Sequence, residues 1–376
     1  MPGRKSSKRC QLITFSRSVS RAAFPWLRFM KISAKAFGIY YNQQVNQLKM
    51  ENNRGMSVSI LELGGIITEL YVPDEKDQLA DVVLGFENLK AYTSDKHYFG
   101  ALIGRVANRI EGASFELDGE TVKVDANAYK GRHCVHGGRF GYHRRVWKLL
   151  RTEAGDDFVA VVLLLNDLDG EEGFRHDVNV EARYELNDKN QLSLSFTANA
   201  NGPTPISLTA HSYFNLEGHE SGTIRNHELI IYGDRYLEQR ADRIPNGEIL
   251  PVTGTEFDFQ NYSPLSPVVE RGIEINHSYC FPLVKHQPQG CIRKLAEVKA
   301  GGRRLVVSSN EETLHFYNGH NLDGVEGKQG SSYTRFSGLC LEPKGFVNGV
   351  NDPAFPCTIL DKGRTYHHQI IYDFEL

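Results

Sequence analysis

The chain contains no apolar run of 18 residues, and so no segment that reads as a membrane-spanning helix. It also lacks a dominant sign of charge. Forty-three Lys and Arg stand against 46 Asp and Glu, for a net charge of −3. No basic footprint for nucleic acid or another polyanion is present, so neither a nucleic-acid partner nor a membrane is expected. Cysteine is scarce. The six residues at 10, 134, 280, 291, 340 and 357 show no C-x-x-C spacing. They read as reduced thiols of a cytoplasmic-type compartment rather than a disulfide framework. His133, Cys134 and His136 cluster, but in no standard zinc spacing, and no metal is expected there. Long helical periodicity is missing as well; only 86–93 and 142–150 have room for a turn or two. No internal repeat and no linker interrupts residues 37–376.

Acidic residues are absent from the first 50 positions, where ten Lys and Arg are interspersed with serine. Residues 1–36 are therefore set apart as a basic N-terminal extension. It reads either as a targeting segment of the organelle transit type or as a disordered tail. Residues 37–376 are expected to form one domain.

What is present is a period of two. Met56, Val58 and Ile60 alternate with small polar residues, as do Val178, Val180, Ala182, Tyr184 and Leu186. Leu192, Leu194, Phe196 and Ala198 repeat the pattern, and Ile370, Tyr372, Phe374 and Leu376 close the chain with it. Such alternation places one face on a core and the other outward, as in antiparallel sheets. Asp118-Gly119 between Phe115-Glu116-Leu117 and Thr121-Val122-Lys123-Val124 predicts a hairpin with a type I′ turn. Turns are also predicted at Leu186-Asn187-Asp188 and at Pro245-Asn246-Gly247. Many short strands with frequent turns argue for an all-β fold, a large antiparallel β-sandwich.

Four polar islands interrupt the apolar pattern. Glu342 follows the strand-like run Leu339-Cys340-Leu341, where burial would raise a carboxyl toward use as a base. His211 lies between Leu208-Thr209-Ala210 and Ser212-Tyr213-Phe214, and an imidazole can donate a proton to a bound oxygen. Asn108-Arg109 follows the glycine-punctuated segment Tyr98–Arg105; a guanidinium reaches two oxygens at once. His136 precedes the pair Gly137-Gly138. Each has an ordinary structural reading when taken alone. Together, a carboxylate and an imidazole make a base and an acid.

In this order the islands carry a resemblance. Gly64-Gly65-Ile66-Ile67, Asp81-Val82-Val83-Leu84-Gly85-Phe86, Gly104-Arg105-Val106-Ala107-Asn108-Arg109-Ile110, His136-Gly137-Gly138, His211-Ser212-Tyr213-Phe214-Asn215-Leu216-Glu217-Gly218, Gly254-Thr255-Glu256-Phe257-Asp258-Phe259 and Cys340-Leu341-Glu342 resemble the aldose 1-epimerase (galactose mutarotase) family over residues 37–376. The resemblance implies the supersandwich of that family. Glu342 falls at the family's general base and His211 at its general acid. Asn108, Arg109 and His136 fall where it holds the sugar. Asn276 stands where the family usually has Asp, and His315 where some members have Gln; both are candidate sugar contacts. Asn276 replaces a charged acceptor by an amide. Arg175-His176 and Ala210 are further departures.

The implied reaction is anomer exchange of a free hexose, galactose or glucose, by ring opening and reclosure. No electron or group leaves, so no cofactor is called for. The expected partner is a monosaccharide alone, with the protein a monomer or weak homodimer. Two other readings compete: a non-catalytic carbohydrate-binding or sensing protein, and a glycoside hydrolase, which normally needs two carboxylates.

Overall fold

A computed structural model describes residues 30–281, 291–356 and 359–375. Most of residues 1–36, together with Cys10, Cys357 and Leu376, lie outside them. Strand pairing already begins at Lys31, where Lys31–Tyr40 runs antiparallel to Gln43–Glu51. The end of the expected extension therefore belongs to a sheet. Cys134, Cys280, Cys291 and Cys340 are free thiols. Among the described residues no helix is long and apolar enough to cross a membrane.

Among the described residues three large antiparallel sheets, with several two-stranded ones beside them, build the fold. The first takes Lys31–Tyr40, Gln43–Glu51, Ser57–Leu61, Ile67–Pro73 and Leu79–Asp81 in chain order. The second has nine strands. At its centre Val178–Asn187, Gln191–Ala200, Thr365–Glu375 and Arg303–Ser309 lie side by side. The third is ordered Pro245–Pro251, Arg235–Gln239, Asn276–Cys280, Thr313–Tyr317, Cys340–Lys344.

The period-two reading holds along Val178–Asn187 and Thr365–Glu375 but not along Ser57–Leu61, where Ser57 and Ser59 are buried like Val58 and Ile60 because that strand is covered on both faces. Val178, Val180, Ala182, Tyr184 and Leu186 are buried, and their intervening neighbours are not. Leu192 and Leu194 sit opposite Tyr372 and Ile370, so inward faces meet across the ladder. These side chains join those of the first sheet in one core that includes Val58, Ile60, Leu70 and Trp147. Removal of this apolar area from water, at roughly 25 cal/mol per Å², is the main force holding the sheets face to face.

Asp118 and Gly119 both take positive φ, 52° and 77°, between Ser114–Leu117 and Glu120–Lys123, as a type I′ hairpin requires. Asn187-Asp188 likewise turns the chain between two strands. Pro245-Asn246-Gly247 does not turn. It lies inside Pro245–Pro251, opposite a shift of register between Leu237 and Gln239. Gly247, at φ 94°, serves a bulge, which asks for the same backbone freedom as a turn. The reversal falls earlier, where Arg243 N–H donates to Arg240 O at 2.8 Å. Among the described residues helix is confined to short pieces such as Leu89–Ser94, Tyr142–Arg144 and Ser266–Glu270; the sequence reading did not anticipate the last.

One buried ion pair ties the large sheet to the segment that carries Asn108 and Arg109. Arg105 Nε donates to Asp167 Oδ2 at 2.7 Å, and Tyr142 Oη donates to the same oxygen at 2.9 Å. Arg105 Nη1 donates to Arg175 O and to Thr204 Oγ1. Asp167→Ala leaves this guanidinium buried without its counter-charge. Loss of one partner of a buried pair costs about 3–5 kcal/mol, read as a lowered urea midpoint at unchanged slope.

Candidate active site

Three neighbouring strands of the third sheet bring polar side chains onto one face. Ser278 on Asn276–Cys280 lies opposite His315 on Thr313–Tyr317, and His315 lies opposite Glu342 on Cys340–Lys344. Two positions away, Asn276, Tyr317 and Cys340 form a parallel row. Alternation along a strand puts both rows on one side. They meet a wall built by loops from the other end of the chain. A cavity of about 280 Å³ lies between, lined by Asn108, Arg109, His136, His211, Asn276, His315 and Glu342. All seven residues singled out from sequence thus share one cavity.

The loop wall is locked by an exchange of hydrogen bonds. His136 N–H donates to Asn108 O at 2.9 Å, and Asn108 N–H donates to His136 Nδ1 at 3.2 Å. An imidazole that accepts at Nδ1 carries its proton on Nε2. His136, held far below the usual histidine range by burial and by neighbouring His211 and Arg109, is a neutral donor. Asn108, His136 and Tyr98 all adopt left-handed φ, near 62°, 54° and 60°. Such a backbone persists only where its surroundings dictate it. Gly137 explains part of that fit. A Cβ there would stand 2.0 Å from Gly104 O, so the glycine pair is a site of close approach rather than a hinge. Arg109 Nη1 donates to Asn108 Oδ1 at 3.1 Å. Burial and the nearby Arg243 lower its guanidinium to about 10, which leaves it cationic at neutral pH.

His211 follows the two-residue strand Thr209–Ala210. Its N–H donates to Ala101 O at 2.9 Å and its ring stacks on Tyr213, 5.2 Å between centroids. Its Nε2 is 3.6 Å from Glu342 Oε1, and its Nδ1 is 3.5 Å from Cys340 Sγ. Glu342 is 1% exposed and its Oε2 has no hydrogen-bond partner. Burial drives its carboxyl well above the ordinary range, against the pull of Lys344 and Arg109. Burial pushes His211 down, to about 4.

Burial favours a pair in which the carboxyl holds the proton and the imidazole is neutral over a carboxylate beside an imidazolium. The count is unchanged, since one proton belongs to the pair in either arrangement. His211, Cys340 and Glu342 also place three potential metal-ligand atoms within 4.8 Å of one another. Burial together with Glu342 holds the Cys340 thiol well above its ordinary range.

Several cavity residues were not singled out from sequence. Lys96, His97, Tyr98, Tyr213, Tyr317 and Asn321 line it as well. Tyr98 and Tyr213 stood inside segments quoted from the sequence, without a role assigned to them. Lys344 lies behind the wall, fully buried two residues beyond Glu342. The same-face rule would have pointed to it.

The chain as a whole has known relatives. The sequence profile named "Aldose 1-epimerase" matches residues 46–373, and the chain belongs to the aldose 1-epimerase family. The galactose mutarotase of Sus scrofa is 37% identical over 88% of this chain and 94% of its own length. The galactose mutarotase of Homo sapiens is 36% identical over 85% and 92%. The aldose 1-epimerase of Haemophilus influenzae is 32% identical over 81% and 88%. Among solved structures, an aldose epimerase homologue from C. elegans superposes with a TM-score of 0.80 at 26% identity, covering 88% of this chain and 99% of that one. A galactose 1-epimerase from Lactobacillus acidophilus shares the fold, with a TM-score of 0.78 at 21% identity over 92% of this chain and 99% of that one.

The protonation of the pair sets its pH dependence. Below about pH 4 a second proton settles on His211, and the pair can no longer accept one. On the alkaline side the single shared proton leaves the raised Glu342 carboxyl, and none remains to deliver. The profile of kcat/KM is expected to be a bell, level around neutrality and falling on both sides. Its two apparent values belong to the pair rather than to either residue.

Proposed function

We propose that this protein interconverts the α and β anomers of free hexoses, galactose and glucose first among them, with Glu342 as general base and His211 as general acid. One observation carries the assignment. A buried carboxyl and a buried imidazole, 3.6 Å apart, share a cavity whose other polar walls are neutral or cationic. Its volume is near the roughly 300 Å³ floor of ligand pockets, the scale of a single sugar ring.

The cyclic sugar binds with its anomeric hydroxyl at Glu342 and its ring oxygen at His211. Transfer of the shared proton to the imidazole leaves a carboxylate, favoured by Arg109 and Lys344. Glu342 then takes the anomeric proton and His211 Nε2–H delivers one to the ring oxygen. The bond between the anomeric carbon and the ring oxygen breaks, giving the open-chain aldehyde. The pair now stands as neutral carboxyl and neutral imidazole, the form favoured by the dry cavity. Rotation about the neighbouring carbon–carbon bond presents the other carbonyl face, and reclosure runs the steps backward. Arg109 and the His136 Nε2–H align the ring and stabilise charge on its oxygen. Preorganised donors of this kind contribute about 3 kcal/mol each. The steps balance without a cofactor.

A hydrolase of the usual kind needs a second carboxylate across the scissile bond. Among the described residues that line the cavity, Glu342 is the one carboxylate. A purely sugar-binding role leaves the raised Glu342 carboxyl beside His211 without purpose.

Polarimetry of freshly dissolved α-D-galactose and α-D-glucose tests the activity directly. Glu342→Gln keeps the shape of the side chain but cannot take a proton. It is expected to lower the rate about 10²- to 10⁴-fold while sugar binding, followed by calorimetry, persists. His211→Asn is expected to cost a similar factor. Because the two act as a unit, the double variant should be little worse than either single one. A Glu342→Gln protein at the wild-type rate would place the base elsewhere.

A further inference from the structure

Lys344 favours the Glu342 carboxylate through its charge, and it also makes a contact that the proposed mechanism does not use. Its Nζ donates to Ser278 Oγ at 3.3 Å. Ser278 Oγ lies 2.9 Å from His315 Nδ1, and His315 Nε2 lies 2.8 Å from Asn276 Oδ1. The four residues occupy three adjacent strands, and Asn276 and His315 face the cavity.

Donor and acceptor chemistry gives this chain a direction. A lysine ammonium has three donors and no acceptor. It therefore fills an acceptor site on Ser278, whose hydroxyl must still place its own proton. His315 Nδ1 is the acceptor within reach. An imidazole that accepts at Nδ1 carries its proton on Nε2, and Nε2–H donates to Asn276 Oδ1. With the opposite polarity, Ser278 would receive two donors and its hydroxyl proton would meet no acceptor among the described residues. Burial and Lys344 keep His315 well below the usual histidine range, so the ring is neutral and carries one proton. Burial lowers the Lys344 ammonium to about 8 against the pull of Glu342 and Glu311, which leaves it charged at neutral pH. The carbonyl of the Asn276 amide is thus engaged inside the protein. Its Nδ2 has no protein partner among the described residues.

We propose that Lys344, acting through Ser278 and His315, turns the Asn276 amide so that the cavity presents a hydrogen-bond donor there and reads an acceptor on the sugar. Lys344 is a positioning residue and Asn276 the specificity residue. The inference rests on the reading of this cavity as a hexose site. It extends the substrate class to hexoses whose substituent at that point accepts a hydrogen bond but cannot donate one, such as a fluorine. A carboxylate at position 276 would read the same substituent in the opposite sense.

The test replaces each non-anomeric hydroxyl of galactose in turn by hydrogen and by fluorine. Inhibition constants are measured against anomerisation of the parent sugar by the full chain. For the wild type, one hydroxyl is expected at which the fluoro sugar binds about three- to tenfold tighter than the deoxy sugar, the worth of one neutral hydrogen bond. In Lys344→Met that ratio is expected to fall to about one, whatever happens to kcat, because the amide is free to rotate. In Asn276→Asp the deoxy sugar is expected to bind the tighter. A ratio is internal to each variant, so a general loss of stability or turnover does not move it. A wild type with no such hydroxyl overturns the proposal, as does a Lys344→Met protein that keeps the full ratio. If Lys344→Met does not fold, Asn276→Asp carries the test, and an unchanged ratio there overturns it. A wild type that accelerates no parent hexose overturns the functional reading first, and this inference with it.

Discussion

Keeping Glu342 dry is the constraint around which the molecule is organised. A carboxyl in water is ionised near pH 4 and is a poor partner for an imidazole at neutral pH. Enclosed by Thr313–Tyr317, by the Asn108 and His136 loops and by Tyr98 and Tyr213, the same group holds its proton far longer. Arg109 and Lys344 work in the other direction and keep the carboxylate within reach. Without them, desolvation alone would leave an inert acid. Without desolvation, they would leave an inert anion. The group is useful because neither influence prevails, and three antiparallel strands and two loops hold that balance in place.

The rigidity of the loops has a separate origin. Asn108 and His136 each donate to the other, Gly137 lets their segments approach, and Arg105 fastens the same stretch to Asp167 on the large sheet. A sugar site on loops alone would lose affinity to loop ordering. Here that ordering is already met by folding, because the loops are bonded to strands at several points. The left-handed residues at 98, 108 and 136 fit this account, since strained backbone survives where its neighbours over-determine it.

The sequence made much of this legible. Alternation identified the sheet faces, and Asp118-Gly119 the hairpin, because both follow from local backbone chemistry. The site residues could be gathered because their motifs come in family order, although they lie far apart in the chain. What stayed hidden was relational. Pro245-Asn246-Gly247 carries the freedom that a turn and a bulge both use, and the pairing partner decides between them. The start of the first sheet at Lys31 depends on a neighbour at Glu51, not on composition. The protonation of His211 depends on how much water the fold excludes, which no motif records. Tyr213 is core and Tyr98 packs half-buried against it, and both become cavity wall only when the sheets close.

The proton shared by Glu342 and His211 has a consequence for how such a catalyst behaves among other enzymes. In the proposed mechanism the pair holds one proton before ring opening and one after it, and either anomer leaves it in the state in which the other found it. No reset through bulk water separates one turnover from the next. The protein is therefore kinetically even-handed: it has no preferred direction to impose, and the traffic between anomers is drawn toward whichever form a neighbouring step withdraws.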